Sequence, residues 1–322
     1  MTQVGGPVIY SRGMSRSDHQ RLSSAVRRGT IARIGAGVYV DAGVYRGMNK
    51  KEQNRLRIIA VARARGMPVV GRAAAFLHGF PFEFRMEAIP VELGRRKGAD
   101  KTGAVLTRGT APELPGHFID RASPWGGFRV SSALRTTLDI ARWHPLPEAV
   151  GMMEDGINRR LFTPADLRRE AGHMKGVHAI AAIGQAVALS NTCSESPRES
   201  HLKACLFRAG LPAPLQQVEI RNEMRDAIAR VDFLFEHISM VIEYDGQGKR
   251  HGQDGWSPEL ALRHEIQRHE RLSREGLLVF RVDSTNYLDG SAVRKIKEIH
   301  ESASRLYRPF PATRYSAKGR AW

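Results

Sequence analysis

The sequence predicts a multidomain α/β protein, and three observations carry that expectation. The chain has 322 residues, room for two or three separate cores. Its apolar residues recur at helical spacing in some segments and alternate at strand spacing in others. Near the C-terminus these segments follow as helix, three strands, helix, strand, an order that covers a sheet with helices. Glycine and proline turns divide the chain at about 1–85, 86–190 and 191–310, with a tail over 311–322 expected to be disordered.

The first element is a helix in "SRSDHQRLSSAVRRGT". Ser15 or Ser17 caps it, Leu22 and Val26 share one face, and Gly29 ends it. "TIARIGAGVYV" then reads as two short strands joined at residues 35–37. A basic helix before a tight hairpin is the pattern of a winged helix. Arg16, Arg21, Arg27 and Arg28 would meet DNA from the helix, and Arg33 from the wing. The segment before Ser15 is too rich in glycine and proline for a preceding helix. A second helix is expected over 50–65, then "GRAAAFLHGFPF" runs small residues into a glycine-proline stop.

Residues 86–190 form a middle α+β region. Strands are expected near 89–93, 104–107 and 128–130, and helices over 133–142, 146–160 and 164–171. The last helix opens with Thr163, Pro164 and Asp166, a cap, a first-position proline and a carboxylate at the positive helix end. His117, His144, His173 and His178 lack ligand spacing and read as structural or surface residues.

Charge is the strongest global signal. Lys and Arg number 50 against 33 Asp and Glu, a formal net charge of +17, and residues 1–90 hold 15 of the cations against five acids. Such a field attracts polyanions, and double-stranded DNA is the partner it implies, unless the excess reflects an arginine-rich proteome. No apolar run reaches the ~20 residues that cross a bilayer. The segment "MTQVGGPVIYSRGM" lacks a basic stretch before an apolar core, so no secretion signal is expected. Cys193 and Cys205 fit neither a metal nor a disulfide spacing, as expected of free thiols in the cytoplasm.

In the third segment, a helix over 197–209 closed by Gly210 leads to "PLQQVEI" and then to "VDFLFEHISMVIEYDGQGK". A glycine-rich loop, a helix over 258–275 and the strand "LLVFRV" follow. With Glu236 and His237 as the turn, Asp232 faces Val241, and Glu243 lies one diagonal step away, about 7–8 Å. Asp232, Val241, Glu243 and Asp245 then share one face, and Val231, Phe233, Ile242 and Tyr244 the other. Three clustered acids repel by several kcal/mol at low effective dielectric, and a divalent cation removes that penalty. Their oxygens suit Mg²⁺ or Mn²⁺, and Lys249 could bring positive charge to a phosphate. The plain alternative is a solvent-facing hairpin whose acids pair with nearby arginines. Glu199 fits a capping box with Ser196 and equally a place in the metal site. Glu265 and Arg268, three apart on a helix, read as a surface ion pair or as a lining that holds phosphate.

"RVDFLF", "VIEYDGQGK" and "HEIQRHERLSREGLLVFRV" together resemble the endonuclease-like C-terminal domain common in actinobacterial proteins. That domain is related to the very-short-patch-repair nucleases of the PD-(D/E)xK superfamily. The resemblance implies a restriction-endonuclease-like α/β sheet domain over 191–310. Its site would comprise Asp232, Glu243, Asp245, Lys249, Glu199 and Glu265, with Arg268 on the nucleic acid. The superfamily's lysine two residues after the glutamate is replaced here by Asp245, and lysine follows at Lys249. "VRRGTIARIGAGVYV", "AAAFLHGFPF" and "SSALRTTLDIAR" resemble AbiEi-family antitoxins of type IV toxin–antitoxin systems, which implies operator binding by the winged helix. The expected function is a Mg²⁺-dependent DNA endonuclease. The rival is a non-catalytic antitoxin or repressor with a cognate toxin or a second copy as partner, and an RNA-processing nuclease is a third reading.

Overall fold

The computed structural model of the chain describes residues 8–82, 88–96, 98, 100–102, 105–244, 258–303 and 308–322. The protein is a multidomain α/β chain of two compact units, Met1–Pro145 with Arg159–Gly184, and Leu146–Asn158 with Gln185–Trp322. The middle region expected over 86–190 is therefore not a unit of its own. Among the described residues, no helix is long and apolar enough to cross a membrane.

The first unit opens with β1 (Ile9–Tyr10), α1 (Arg16–Arg27), β2 (Ile31–Gly35) and β3 (Val38–Asp41). The strands form one antiparallel sheet in the order β1-β3-β2, so the basic helix does lead into a hairpin. Ser15 caps α1 by accepting the Asp18 N–H, and Leu22 is the helix's one fully buried residue. After α2 (Ala42–Gly47), the capping box of Asn49 and Glu52 starts α3 (Lys50–Arg65). Its Leu56, Ile58, Ile59 and Val61 join Val38, Val40, Val69 and Leu93 in the core.

α4 (Gly71–His78) starts against a second sheet, β4 (Val91–Arg95), β5 (Asp100–Thr102) and β6 (Val105–Gly109), in the order β4-β6-β5. β7 (Phe118–Arg121) pairs with β8 (Phe128–Ser131), and α5 (Ala133–Trp143) follows. Glu92 on β4 is wholly buried, accepts the Arg72 N–H at the start of α4, and pairs with Arg108 at 2.7 Å and His144 at 3.2 Å. Burial pushes its carboxyl up, but His144 and Arg108 together hold it below the usual range. Arg135 and Arg142 share Asp139 at 3.0 and 2.9 Å, and His117 pairs with Glu170 on α7 (Pro164–His173). His117 and His144 are thus structural, as their spacing implies. α8 (Ile180–Leu189) comes next in the chain.

The second unit contains α6 (Leu146–Asn158), α9 (Pro197–Arg208), β9 (Leu215–Arg221), β10 (Ala227–Phe235), β11 (Met240–Tyr244), α10 (Pro258–Arg274) and β12 (Leu278–Val282). It closes with α11 (Ser284–Leu288), α12 (Ser291–Ala303) and β13 (Tyr315–Arg320). The sheet runs β12-β11-β10-β9-β13, with β12 parallel to β11 and the other pairs antiparallel. Helix, three strands, helix, strand is the order expected. One face packs Phe233, Phe235 and Ile242 against Leu202 and Leu206 of α9 and Ile296 of α12. The other packs Leu234 and Val241 against Leu272 of α10. α6 belongs to this unit because Glu154 on it pairs with Lys203 on α9, both wholly buried.

Two expectations are corrected. The hairpin turn is not Glu236-His237: residues Glu236–Ile238 form a 3₁₀ turn and Ser239 takes φ +50°. Partners are Phe233 with Ile242 and Leu234 with Val241, so the register shifts by two residues. The tail over 311–322 is not disordered. β13 pairs along β9, with Ala317 opposite Val218, and Ala321 is buried. Gly319 permits this approach, because a Cβ there would stand 2.8 Å from Cys193 Sγ.

Candidate active site and nucleic-acid interface

The corrected register tightens the acidic site. Asp232 and Glu243 are the next residues beyond the Phe233–Ile242 pair, so the register brings them into step rather than one diagonal apart. Asp232 Oδ2 accepts the backbone N–H of Tyr244 at 2.7 Å, a charge-assisted bond that fixes the carboxylate at the end of β11. Its Oδ1 lies 3.4 Å from Gln217 Nε2.

Gln217 is the residue that sequence reasoning missed. It sits on β9 at φ +50°, beside β10, and its Nε2 also donates to Glu199 Oε2 at 2.9 Å. Its Oε1 accepts from Arg230 Nε at 2.9 Å. One amide therefore ties Glu199 of α9 to Asp232 of β10. Its only trace in the sequence is the pair Gln216-Gln217 in a strand that also carries Glu219 and Arg221.

Glu199 takes part in the cap of α9 and also lies near Asp232. Ser196 Oγ accepts the Glu199 N–H at 3.2 Å and donates to Oε1 at 2.8 Å, half of the expected capping box. The other half differs, because Glu199 Oε2 takes the N–H of Glu195 rather than that of Ser196. The same carboxyl faces the site. Burial and then the negative charge of Asp232 raise its pKa above the ordinary value.

Glu243 is buried and held by cations. Arg268 Nη2 on α10 pairs with Oε1, and Arg281 Nη2 on β12 lies 3.9 Å from Oε2. Glu265 does not pair with Arg268 as its spacing implied. It pairs with Arg281, because Arg268 turns inward to Glu243 and to the Arg230 carbonyl. Arg281, a lone cation in "LLVFRV", is a second member that the sequence reading passed over. Asp245 and Lys249 lie outside the described residues. Among those described, no group of three acidic, histidine or cysteine ligands assembles. Asp232 and Glu243 nonetheless offer carboxylate oxygens from neighbouring strands, the donor type that a hard divalent cation takes.

In the first unit, Arg16, Arg21, Arg27, Arg28 and Arg33 are all exposed. Arg16, Gln20, Ser23 and Arg27 follow one helical stripe of α1, a cationic face with polar groups between its ends. Arg21 approaches Asp18 at 3.9 Å, and Arg27 donates to Ser24 Oγ at 3.1 Å. Such solvent-exposed contacts are weak enough to yield to a phosphate. Arg33 is braced on the hairpin by its bond to the Gly35 carbonyl.

No family model matches the chain, and a search of curated proteins returns no match either.

Proposed function

We propose that the chain binds double-stranded DNA through α1 and the β2–β3 hairpin and that its second unit hydrolyses phosphodiester bonds with Mg²⁺ or Mn²⁺. The observation that carries this reading is the placement of Asp232 and Glu243 next beyond the Phe233–Ile242 pair on neighbouring strands, with Glu199 joined to Asp232 through Gln217. The helix, three strands, helix, strand order of the unit supports the resemblance to PD-(D/E)xK nucleases. A resident divalent ion supplies water activation and charge neutralisation in such hydrolysis. Asp232 and Glu243 would hold it, and Asp245 is the further candidate ligand. The Tyr244 N–H and Gln217 fix the Asp232 carboxylate. Glu199, with its raised pKa, is suited to hold a proton beside the site. Arg268 offers a guanidinium to phosphate oxygens, and Lys249 is the candidate for the charge that builds up in the transition state. Acting on DNA inside the cell, the protein would be cytoplasmic.

The neutralisation of Glu243 by Arg268 favours one second reading, a repressor or antitoxin that keeps the nuclease-like unit as scaffold, with a cognate toxin or a second copy as partner. One experiment decides. Wild type and Asp232→Asn are assayed on the same preparations by gel shift and by plasmid nicking in Mg²⁺ and Mn²⁺. The nuclease reading expects equal DNA binding and a loss of cutting by orders of magnitude in the variant. Undiminished cutting by Asp232→Asn removes the site, and absence of cutting by wild type leaves the repressor.

A further inference from the structure

Charge is unevenly matched across the carboxylates of Asp232 and Glu243. Asp232 takes neutral donors, the Tyr244 N–H and the Gln217 amide. Glu243 faces two guanidiniums, and these differ in how they are held. Arg281 is anchored by its ion pair with Glu265 and by the Glu265 carbonyl at 3.4 Å. Among the described residues, Arg268 pairs with no carboxylate other than Glu243. Its Nη2 donates to Glu243 Oε1 and, at 2.6 Å, to the Arg230 carbonyl, and its side chain is 35% exposed. Its Nε is buried and finds no acceptor among the described residues.

A divalent cation on Glu243 would meet the Arg268 guanidinium at the same carboxylate oxygen, and the two positive charges repel. The arginine is the partner able to move, since part of its side chain is in solvent and its donors are not all filled. A phosphodiester offers the acceptors it would then need, because its paired oxygens match the guanidinium fork. We propose that Arg268 couples the two binding events. It neutralises Glu243 in the substrate-free site and passes to a phosphate oxygen of the nucleic acid when a divalent cation takes Glu243. Cation and phosphodiester each then bind more tightly in the presence of the other. This inference rests on the metal-dependent reading of the site and adds to it a positioning residue with a defined exchange of partners.

The test uses the full chain and needs no cleavage. Mn²⁺ is titrated in, with free Mn²⁺ read by electron paramagnetic resonance, in the absence and presence of a phosphorothioate-substituted duplex. For wild type, duplex should tighten Mn²⁺ binding by roughly tenfold, and Mn²⁺ should tighten duplex binding by the same factor. Arg268→Gln should bind Mn²⁺ more tightly than wild type without duplex, and its coupling factor should fall to about one. Arg268→Lys, which keeps the charge but not the fork, should couple less than wild type and more than Arg268→Gln. Arg274→Gln, on the same helix but paired with Glu270, should leave the coupling in place. An Arg268→Gln variant that keeps the wild-type factor, or binds Mn²⁺ more weakly alone, overturns the proposal. Should no variant bind Mn²⁺ in either condition, the metal-dependent reading falls and this proposal with it.

Discussion

Lys203→Met tests the packing that brings α6 into the second unit. Lys203 and Glu154 are 0% and 1% exposed, and their ion pair joins α9 to α6. Glu154 Oε1 also accepts the Asn191 N–H at 2.6 Å, while Oε2 is buried with no partner among the described residues. Burial pulls the Lys203 pKa down, although Glu154 acts to raise it. Methionine has nearly the length of lysine, so the change removes the charge with little loss of packing. What remains is a buried carboxylate without its cation, a loss of about 3–5 kcal/mol. At a urea slope of about 2 kcal/mol per molar, the midpoint of the unit should fall by roughly 2 M. Glu154→Leu with Lys203→Met removes both charges and leaves only the Asn191 N–H unpaired, a cost of about 1–3 kcal/mol, so the double variant should recover part of the loss. A midpoint shift under about 0.3 M, or a double variant worse than the single one, would falsify the buried-pair account.

Three further outcomes are expected. His201, pushed down to about 4 by burial and by Arg208, stays neutral in the folded chain where the unfolded chain protonates it near 6.5. The unfolded state thus binds more protons between those values, and stability falls as pH drops through that window, by up to about 1.4 kcal/mol per pH unit. His201→Asn should flatten that slope in urea titrations at pH 7 and pH 5, and an unchanged slope removes the assignment. Gly71→Ala places a Cβ inside the Glu92 carboxylate at φ +57°, so it should lose at least about 3 kcal/mol in thermal or urea melts; a near-neutral change would mean that Glu92 does not seat α4. Arg27→Ala with Arg28→Ala should weaken duplex binding and flatten its log–log salt dependence by about two contacts' worth, and affinity indifferent to salt would rule out the phosphate contacts.

Much of the second unit was legible because its sequence is locally consistent. Apolar alternation marks β10 and β11, Pro197 and Gly210 bracket α9, and Gly276 ends α10 close to its predicted limit. What misled was the turn. Ser239 adopts a left-handed conformation without the glycine or asparagine that would announce it, and the register slipped by two residues as a result. That Asp232 and Glu243 lie on neighbouring strands was legible, but how the two strands align there depends on that turn. Gln217 and Arg281 were hard to read for a different reason, since the meaning of each depends on strand neighbours distant in sequence. The same holds for Glu92, which lies far in sequence from both Arg72 and His144. β13 was missed because "YSAKGR" is short and polar, and only its pairing with β9 makes it a strand.

That last strand has a consequence for how the chain is made. β9 and β10 are synthesised well before β13, so the outer edge of β9 has no partner until residues 315–320 arrive. Until then, and whenever β13 peels away, the edge presents unpaired amides and carbonyls that any extended segment could occupy. The β13 of a second copy carries the same pattern, so a detached strand can lodge in a neighbouring chain and link two molecules by exchange. Crowded synthesis would favour that exchange, and dilution would favour closure within one chain. Pairing β13 along the outer edge of β9 within the same chain is therefore what closes that edge to exchange.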